Sequence, residues 1–216
     1  MDGTQPDGGP GWLVRPARAA DADALGVFLT GLSLRTRYLR FFAGVLPVSP
    51  AFLRRMTGGV MASGGPVDAL VVTECGADGP VIGHGMASDS RDDAGLPVTE
   101  LGVVVADEHR GRGAGSALIR TLTARAQDRG AATILMEVLA ENREMLALIA
   151  HYFPAARYSR TGPYVSVHVS LPAPFPVVPG PAPQPPPQEE QSREPSISAG
   201  DAGDIAGIAD ADLSVG

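Results

Sequence analysis

From Trp12 to Leu171 the chain alternates short, nearly continuous apolar runs with segments whose apolar residues recur every three or four positions, the pattern of strands interleaved with amphipathic helices. Trp12-Leu-Val-Arg-Pro-Ala17 predicts a first strand, and Ala19-Ala-Asp21 opens a helix through Ala24, Leu25, Val27, Phe28 and Leu29. Ser33-Leu-Arg-Thr-Arg-Tyr-Leu-Arg-Phe-Phe42 predicts a second helix, capped by Ser33 and carrying Leu34, Tyr38, Leu39 and Phe42. A third apolar segment, Ala51–Met56, follows Ser49-Pro50, and strands near 67–75 and 80–88 flank Gly76-Ala-Asp-Gly-Pro80 as a hairpin. Beyond a strand that begins near Val98, the residues Ala117, Leu118, Ile119, Leu122 and Ala126 mark another helix. Ala131–Leu139 reads as a buried strand and Glu141–Ala150 as a helix opening near Asn142. Tyr158 and Tyr164 fall in the final strands as packing residues.

One junction carries chemistry. Val103-Val-Val-Ala-Asp-Glu-His-Arg-Gly-Arg-Gly-Ala-Gly-Ser-Ala-Leu-Ile119 runs from strand through a glycine-rich, arginine-bearing turn into a helix. The first N–H groups of a helix have no partner within it and sit at the positive end of its dipole, so they suit an anion. Gly111, Gly113 and Gly115 let the backbone approach that anion without a Cβ in between. A dinucleotide fingerprint needs a third glycine where Ser116 stands, and a P-loop needs a lysine that this chain lacks altogether.

Composition narrows the function further. The net charge is −7, but residues 172–216 hold seven acids against Arg193 alone, which leaves the rest near neutral. A nucleic-acid binder shows a basic excess, and none is present. No apolar run spans a bilayer, and Met1–Pro10 lacks the features of a secretory signal, so a cytoplasmic protein with no membrane partner is expected. Cys75 is the single cysteine, read as a small core or strand-end residue, and His84, His109, His151 and His168 have no ligand spacing, so no metal site is expected. The organisation expected is a disordered arm over 1–11, one domain over 12–171 and a Pro-rich, acidic, disordered tail over 172–216. The acidic turn Asp89–Asp93 reads as a solvated loop.

Arg110-Gly111-Arg112-Gly113-Ala114-Gly115 fits the pattern Q/R-x-x-G-x-G/A, and with that loop the chain resembles the GNAT superfamily of acyl-CoA-dependent N-acyltransferases. Ser33–Phe42, Val98-Thr-Glu-Leu-Gly-Val-Val-Val105 and Glu141-Asn-Arg-Glu-Met-Leu-Ala-Leu148 are similar to segments of bacterial Pat-type protein lysine acetyltransferases. The resemblance implies an α/β (α+β) GNAT fold, with a mixed sheet of about six to seven strands splayed at the acyl-CoA site and flanked by about four helices. It implies acetyl-CoA as cofactor, its pyrophosphate held by Arg110, Gly111, Arg112, Gly113, Ala114, Gly115 and Ser116. Val103, Val104 and Val105 would supply main-chain groups to pantetheine and to the thioester oxygen, and Asn142 belongs to the same cofactor-binding half. His109 is a lesser candidate for phosphate contact.

Glu100 falls on the glutamate that Pat-type enzymes use as general base, two residues from Gly102 and on the same strand face. The superfamily's frequent tyrosine, seven residues after the helix-opening Asn, is here Ile149, and Tyr152 does not replace it. The implied function is transfer of acetyl to the ε-amine of a protein lysine, with an acyl-CoA synthetase as the expected partner. The domain is expected to stand alone, since nothing in the chain matches the synthetase or nucleotide-sensing modules of other members. The alternatives are acetylation of a small amine (aminoglycoside, polyamine or amino acid) and non-catalytic acyl-CoA sensing.

Overall fold

A strand buried on both faces loses its alternation of polar and apolar residues, and Ala69–Thr73, all buried, do so because helices cover both sides of the sheet they cross. In the computed structural model residues 11–46, 48–60 and 66–172 are described. The arm and tail expected at 1–11 and 172–216 lie, except for Gly11 and Pro172, outside them.

The elements run β1 (Trp12–Pro16), a 3-10 turn (Ala19–Asp21), α1 (Ala22–Gly31), α2 (Leu34–Phe41), α3 (Pro50–Met56), β2 (Gly59–Val60), β3 (Pro66–Glu74), β4 (Val81–Arg91) and β5 (Pro97–Val105). There follow a 3-10 turn (Asp107–His109), α4 (Ala114–Asp128), β6 (Thr133–Leu139), α5 (Arg143–Tyr152), β7 (Arg157–Thr161) and β8 (Tyr164–Ser170). Seven strands lie in the order β1-β3-β4-β5-β6-β8-β7, and the two-residue β2 pairs with β3. β5 and β6 run parallel, joined through α4, while the other pairs are antiparallel. This is the mixed α/β architecture expected, with α3 as a helix beyond the four anticipated; its seven residues are too few to show a helical period.

On one face α4 packs Leu118 and Leu122 against Leu70, Val72, Leu101 and Ile134. Gly85 makes that approach possible, since a Cβ there would come within 2.9 Å of Leu122 Cδ1. Asp68 holds the same helix by accepting from Arg125 Nε and Arg129 Nη1, each at 2.7 Å. Asp89 accepts from Arg129 Nε at 2.8 Å and Thr99 Oγ1 at 2.7 Å, so the acidic turn begins with a structural pin rather than a free charge. On the opposite face α1 and α3 cover Val71 and Val104 with Leu25, Phe28, Leu29 and Met56.

Two helices depart from the sequence reading. Val27 of α1 is exposed, and α2 turns its supposed apolar face outward: Leu34, Tyr38 and Phe42 are exposed while Thr36 is 2% exposed. Polar contacts, described below, override the hydrophobic period there. Tyr158 is also exposed, because every residue of the edge strand β7 is. Cys75 is exposed in a left-handed turn just past β3, which leaves the strand-end alternative. Among the described residues no helix is long and apolar enough to cross a membrane.

The first helical turn is sealed by a buried ion pair. Arg15 Nη1 and Nη2 donate to the two carboxylate oxygens of Asp21 at 2.8 and 2.6 Å, and the Arg18 N–H donates to Asp21 Oδ2 at 2.6 Å. The Arg15 hydrogen bonds, opposed by burial and aided by the Arg18 amide, hold the Asp21 carboxyl below its ordinary range. A group depressed in this way contributes stability above its unfolded pKa and loses it as pH falls through the folded value. Asp21→Ala is therefore expected to cost about 3 kcal/mol at pH 7 in urea unfolding, with the deficit shrinking below about pH 4. A deficit unchanged between pH 7 and pH 3 would contradict the pairing.

Candidate active site

β5 and β6 pair only over Val98–Glu100 with Thr133–Leu135. β6 stays paired to β8 out to Leu139, and β5 stays paired to β4 out to Val105, so the two strands fork after three residues. The backbone of β5 beyond Glu100 thus has a sheet partner on one side alone. Ala106 N–H donates to the Ile82 carbonyl across β4, and the Pro97 carbonyl accepts from Ala132 on the other side. Alternation along the strand then points Leu101, Val103 and Val105 amides into the fork and commits Val104 to His84 of β4. Of the three valines expected to offer main-chain groups, two can do so in the fork. Val104 instead buries its side chain in the core.

The fork opens into a cavity of about 360 Å³. Val103, Val104, Val105, Arg110, Gly111, Gly113, Ala114, Gly115, Ser116 and Asn142 all border it, together with Glu100 and His109. Gly111 and Gly113 have φ of 71° and 87°, the left-handed region in which a Cβ is strained, and Gly113 is the N-cap of α4. Trp12 Nε1 donates to the Arg112 carbonyl at 3.3 Å, tying β1 to this loop. Asn142 Oδ1 accepts from Met145 N–H at 3.2 Å, capping α5, so its carbonyl oxygen is already engaged.

Arg112 departs from expectation. It does not line the cavity; its Nη1 lies 2.9 Å from His109 Nδ1 and 3.4 Å from Glu74 Oε1. Glu74 ends β3, on the far side of the loop, and a carboxylate there draws the guanidinium outward. Arg110 instead spans the site. Its Nη2 donates to Thr36 Oγ1 at 2.7 Å and lies 3.2 Å from Asp107 Oδ1, while Nη1 is 3.6 Å from Glu144 Oε2.

Thr36 in turn donates to Asp107 Oδ1 at 2.7 Å, and the Ser33 N–H reaches Asp107 Oδ2 at 3.4 Å. Burial would raise the Asp107 carboxyl, but hydrogen bonds from Thr36 and Ser33 and the charge of Arg110 hold it below the usual range. This network fastens the start of α2 to the turn that precedes the glycine loop, and it explains why Thr36 rather than the apolar residues of α2 faces inward. Sequence periodicity had no means of finding it, because its members are 71 and 74 residues apart.

At the other end of the cavity stand Glu100, Leu39, Arg40, Phe42 and Glu137. Glu100 pairs with Leu135 in register, which puts Glu137 on the same sheet face, beneath α2. Phe42, at φ 57°, packs edge-on to Tyr164 with ring centroids 5.3 Å apart and closes this wall. Arg40 lies over Gly102, where any Cβ would strike its guanidinium. Arg40 and Glu137 are additions to the sequence reading; a lone acid in the apolar run Ile134-Leu-Met-Glu-Val138 was the available signal for the second. His84, fully buried on β4, donates from Nε2 to the Met56 carbonyl at 2.7 Å, and burial pushes it down to about 4, so it is neutral. Ile149 is wholly buried, and Tyr152 stacks edge-on to His151 rather than bordering the cavity. Among the described residues no group of three or more His, Cys, Asp or Glu side chains could hold a metal ion.

An elongated ligand with a diphosphate at one end and amides along its length suits these groups: unpaired helix-start N–H donors over left-handed glycines, then free strand amides in the fork. Acetyl-CoA is such a ligand. Comparison with known proteins agrees. Residues 50–153 match the model of the acetyltransferase (GNAT) family. The GNAT domain of S. lividans Pat is 27% identical, over 73% of this chain and 89% of that one, with a TM-score of 0.61. A GCN5-related N-acetyltransferase from Kribbella flavida (21% identical, 74% of this chain and 98% of that one, TM-score 0.57) shares the fold. So does yncA, a putative acetyltransferase from Salmonella typhimurium solved with its cofactor acetyl-CoA (18% identical, 76% and 95%, TM-score 0.53). No curated protein sequence matches the chain.

The two arginines of the loop should separate cleanly. Arg110→Ala is expected to weaken acetyl-CoA binding about tenfold by calorimetry, as for loss of a charge-assisted contact. Arg112→Ala should stay within about twofold of wild type, because its side chain is held at Glu74. Equal losses in both would contradict the outward placement of Arg112.

Proposed function

The chain carries an acetyltransferase domain of the GNAT family, which uses acetyl-CoA, and from that premise we propose that it transfers an acetyl group to the ε-amine of a protein lysine with Glu100 as general base. The observation that carries this reading is that one cavity joins the anion-binding helix start to a carboxylate: Gly113, Ala114 and Gly115 border one end and Glu100 the other. When bound, acetyl-CoA supplies an activated thioester carbonyl.

The residues of the chain supply the rest. A lysine ammonium has a pKa of about 10.4 and must lose a proton before it can attack. Glu100 is the carboxylate beside the fork on the α2 face, available to accept that proton directly or through water. The Val103 N–H, turned into the fork, is the donor for charge that develops on the carbonyl oxygen. A thiolate of pKa about 8.5 leaves without an acid, which agrees with Ile149 standing where other members carry a tyrosine.

Three features support a protein acceptor over a free small amine. The α2 segment is similar to that of Pat-type enzymes, the S. lividans Pat domain matches with a TM-score of 0.61, and Leu34, Tyr38 and Phe42 lie exposed along the segment whose Thr36 and Arg40 border the cavity. Such an exposed apolar stripe suits contact with a folded partner. An acyl-CoA synthetase is the partner this reading favours. Neither nucleic acid nor membrane has a role in it.

Glu100→Gln is expected to lower kcat by about 10² to 10⁴-fold while the Kd for acetyl-CoA stays near wild type. Thiol release should be measured against an acyl-CoA synthetase, polyamines and aminoglycosides, followed by mass spectrometry of each acceptor. Acetyl on a synthetase lysine supports the proposal; turnover with a small amine alone, or wild-type turnover of Glu100→Gln, would overturn it.

A further inference from the structure

Arg40 is a half-buried cation without a counter-ion. Its Nε is inaccessible and has no hydrogen-bond partner, and among the described residues no carboxylate lies within ion-pair distance of its guanidinium. Burial pushes it down to about 10, against the attraction of Glu100, so it stays fully charged at neutral pH. The groups around it are Glu100 on β5, Glu137 on β6, neutral His84 on β4 and Arg37 on its own helix, whose Nε is likewise unpartnered. Proteins seldom leave a buried charge unpaired, because desolvation is not repaid. Such a residue at a site points to a negative charge that arises there during turnover.

Its placement indicates where that charge arises. The guanidinium lies flat against Gly102, the residue whose carbonyl forms the peptide bond to the Val103 N–H. Glu100 stands two residues back along β5, beyond ion-pair reach. In the ground state the carboxyl groups at the acceptor end are those of Glu100 and Glu137. As the amine passes its proton to Glu100 and its nitrogen bonds to the carbonyl carbon, the carbonyl oxygen takes up the negative charge. The C–S bond then breaks, the electron pair leaves with the sulfur as a thiolate, the carbonyl re-forms, and the remaining excess proton on the nitrogen passes to the thiolate. Charge therefore moves from Glu100 toward Gly102–Val103 and toward Arg40, so an attraction that already polarises the bound carbonyl grows stronger in the transition state.

We propose that Arg40 is a catalytic residue of this site, an electrostatic stabiliser of the thioester oxygen acting beside the Val103 amide. The inference rests on the acetyl-transfer reading above but not on the identity of the acceptor. It also explains Gly102: any larger residue at that position would push the guanidinium off the strand.

The test uses the full chain. Arg40→Met removes the charge while keeping the bulk; it should lower kcat about 10² to 10³-fold and leave the Kd for acetyl-CoA within about threefold. Because it removes an unpaired cation whose Nε is buried, it should also raise the urea unfolding midpoint, whereas loss of a structural arginine would lower it. Arg40→Lys should recover part of the lost kcat. Gly102→Ala, which displaces the guanidinium without removing it, should lower kcat in the same direction and provides the reading if Arg40→Met does not fold.

A readout that needs no acceptor comes from infrared spectra of ¹³C-carbonyl acetyl-CoA bound to each protein. The carbonyl band should lie at lower frequency in wild type than in Arg40→Met, and Glu100→Gln should leave it in place. A band unmoved by loss of Arg40, or near-wild-type kcat in both Arg40→Met and Gly102→Ala, would overturn the inference. Failure of Glu100→Gln to slow turnover would instead strike the general base and leave the band shift standing.

Discussion

Everything at this site follows from the parting of β5 and β6. A strand inside a sheet normally spends its N–H and C=O groups on two neighbours, and buried groups left without partners are costly. β5 keeps one neighbour, β4, along its whole length and loses the other after Glu100. The orphaned groups of Leu101, Val103 and Val105 are a row of donors and acceptors at strand spacing, which an extended ligand bearing amides can complete. The fork also sets where the helices end. α4 and α5 both begin at the cavity, with Ala114–Ser116 and Asn142 on its border; the start of α4 has no side-chain cap, whereas Asn142 already accepts from the Met145 amide of α5.

The wall opposite the fork is built on the reverse principle, with polar groups inside and apolar ones out. Thr36, Asp107 and Arg110 bind α2 to the glycine loop through hydrogen bonds of 2.7 Å, so the helix beneath which Glu100 lies is fastened to that loop. The same helix carries Arg37 and Arg40, whose buried Nε atoms lack partners, and His84 below it has an unpartnered Nδ1. Among the described residues, three of the five buried side-chain atoms without a partner thus lie on α2 and β4. The buried Arg15–Asp21 pair and the partly exposed Asp68–Arg129 pair, by contrast, are well matched and hold the frame. A frame secured in this way tolerates an uncompensated cation at the reacting centre.

The strands, the hairpin and the two later helices were legible in the sequence because each is governed by local pattern: continuous apolar runs for strands covered on both sides, period-four apolar residues for α4, an Asn cap for α5. The glycine loop was legible because its chemistry is carried by the backbone, and Gly111 and Gly113 advertise the left-handed angles it needs. Arg112 does not border the cavity: the pattern fixes a position along the loop but not the direction of a long side chain, and Glu74 lies in a strand 38 residues away. The polarity of α2 was inverted for a related reason. Its apolar residues do recur at helical spacing, yet the contacts of Thr36 come from Asp107 and Arg110, which only the tertiary fold brings near. The triple valine was half right: strand alternation gives Val103 and Val105 to the fork and Val104 to the core, a distinction that depends on knowing the register with β4.

The central claim, that acyl-CoA completes the open edge of β5, is tested most directly by amide hydrogen exchange on the free and acetyl-CoA-bound protein. The register predicts fast exchange at Val103 and Val105 in the free protein and strong protection on binding, while Val104, bonded to β4, exchanges slowly in both states. Protection at all three in the free protein, or no change at Val103 and Val105 on saturation with acetyl-CoA, would contradict the account.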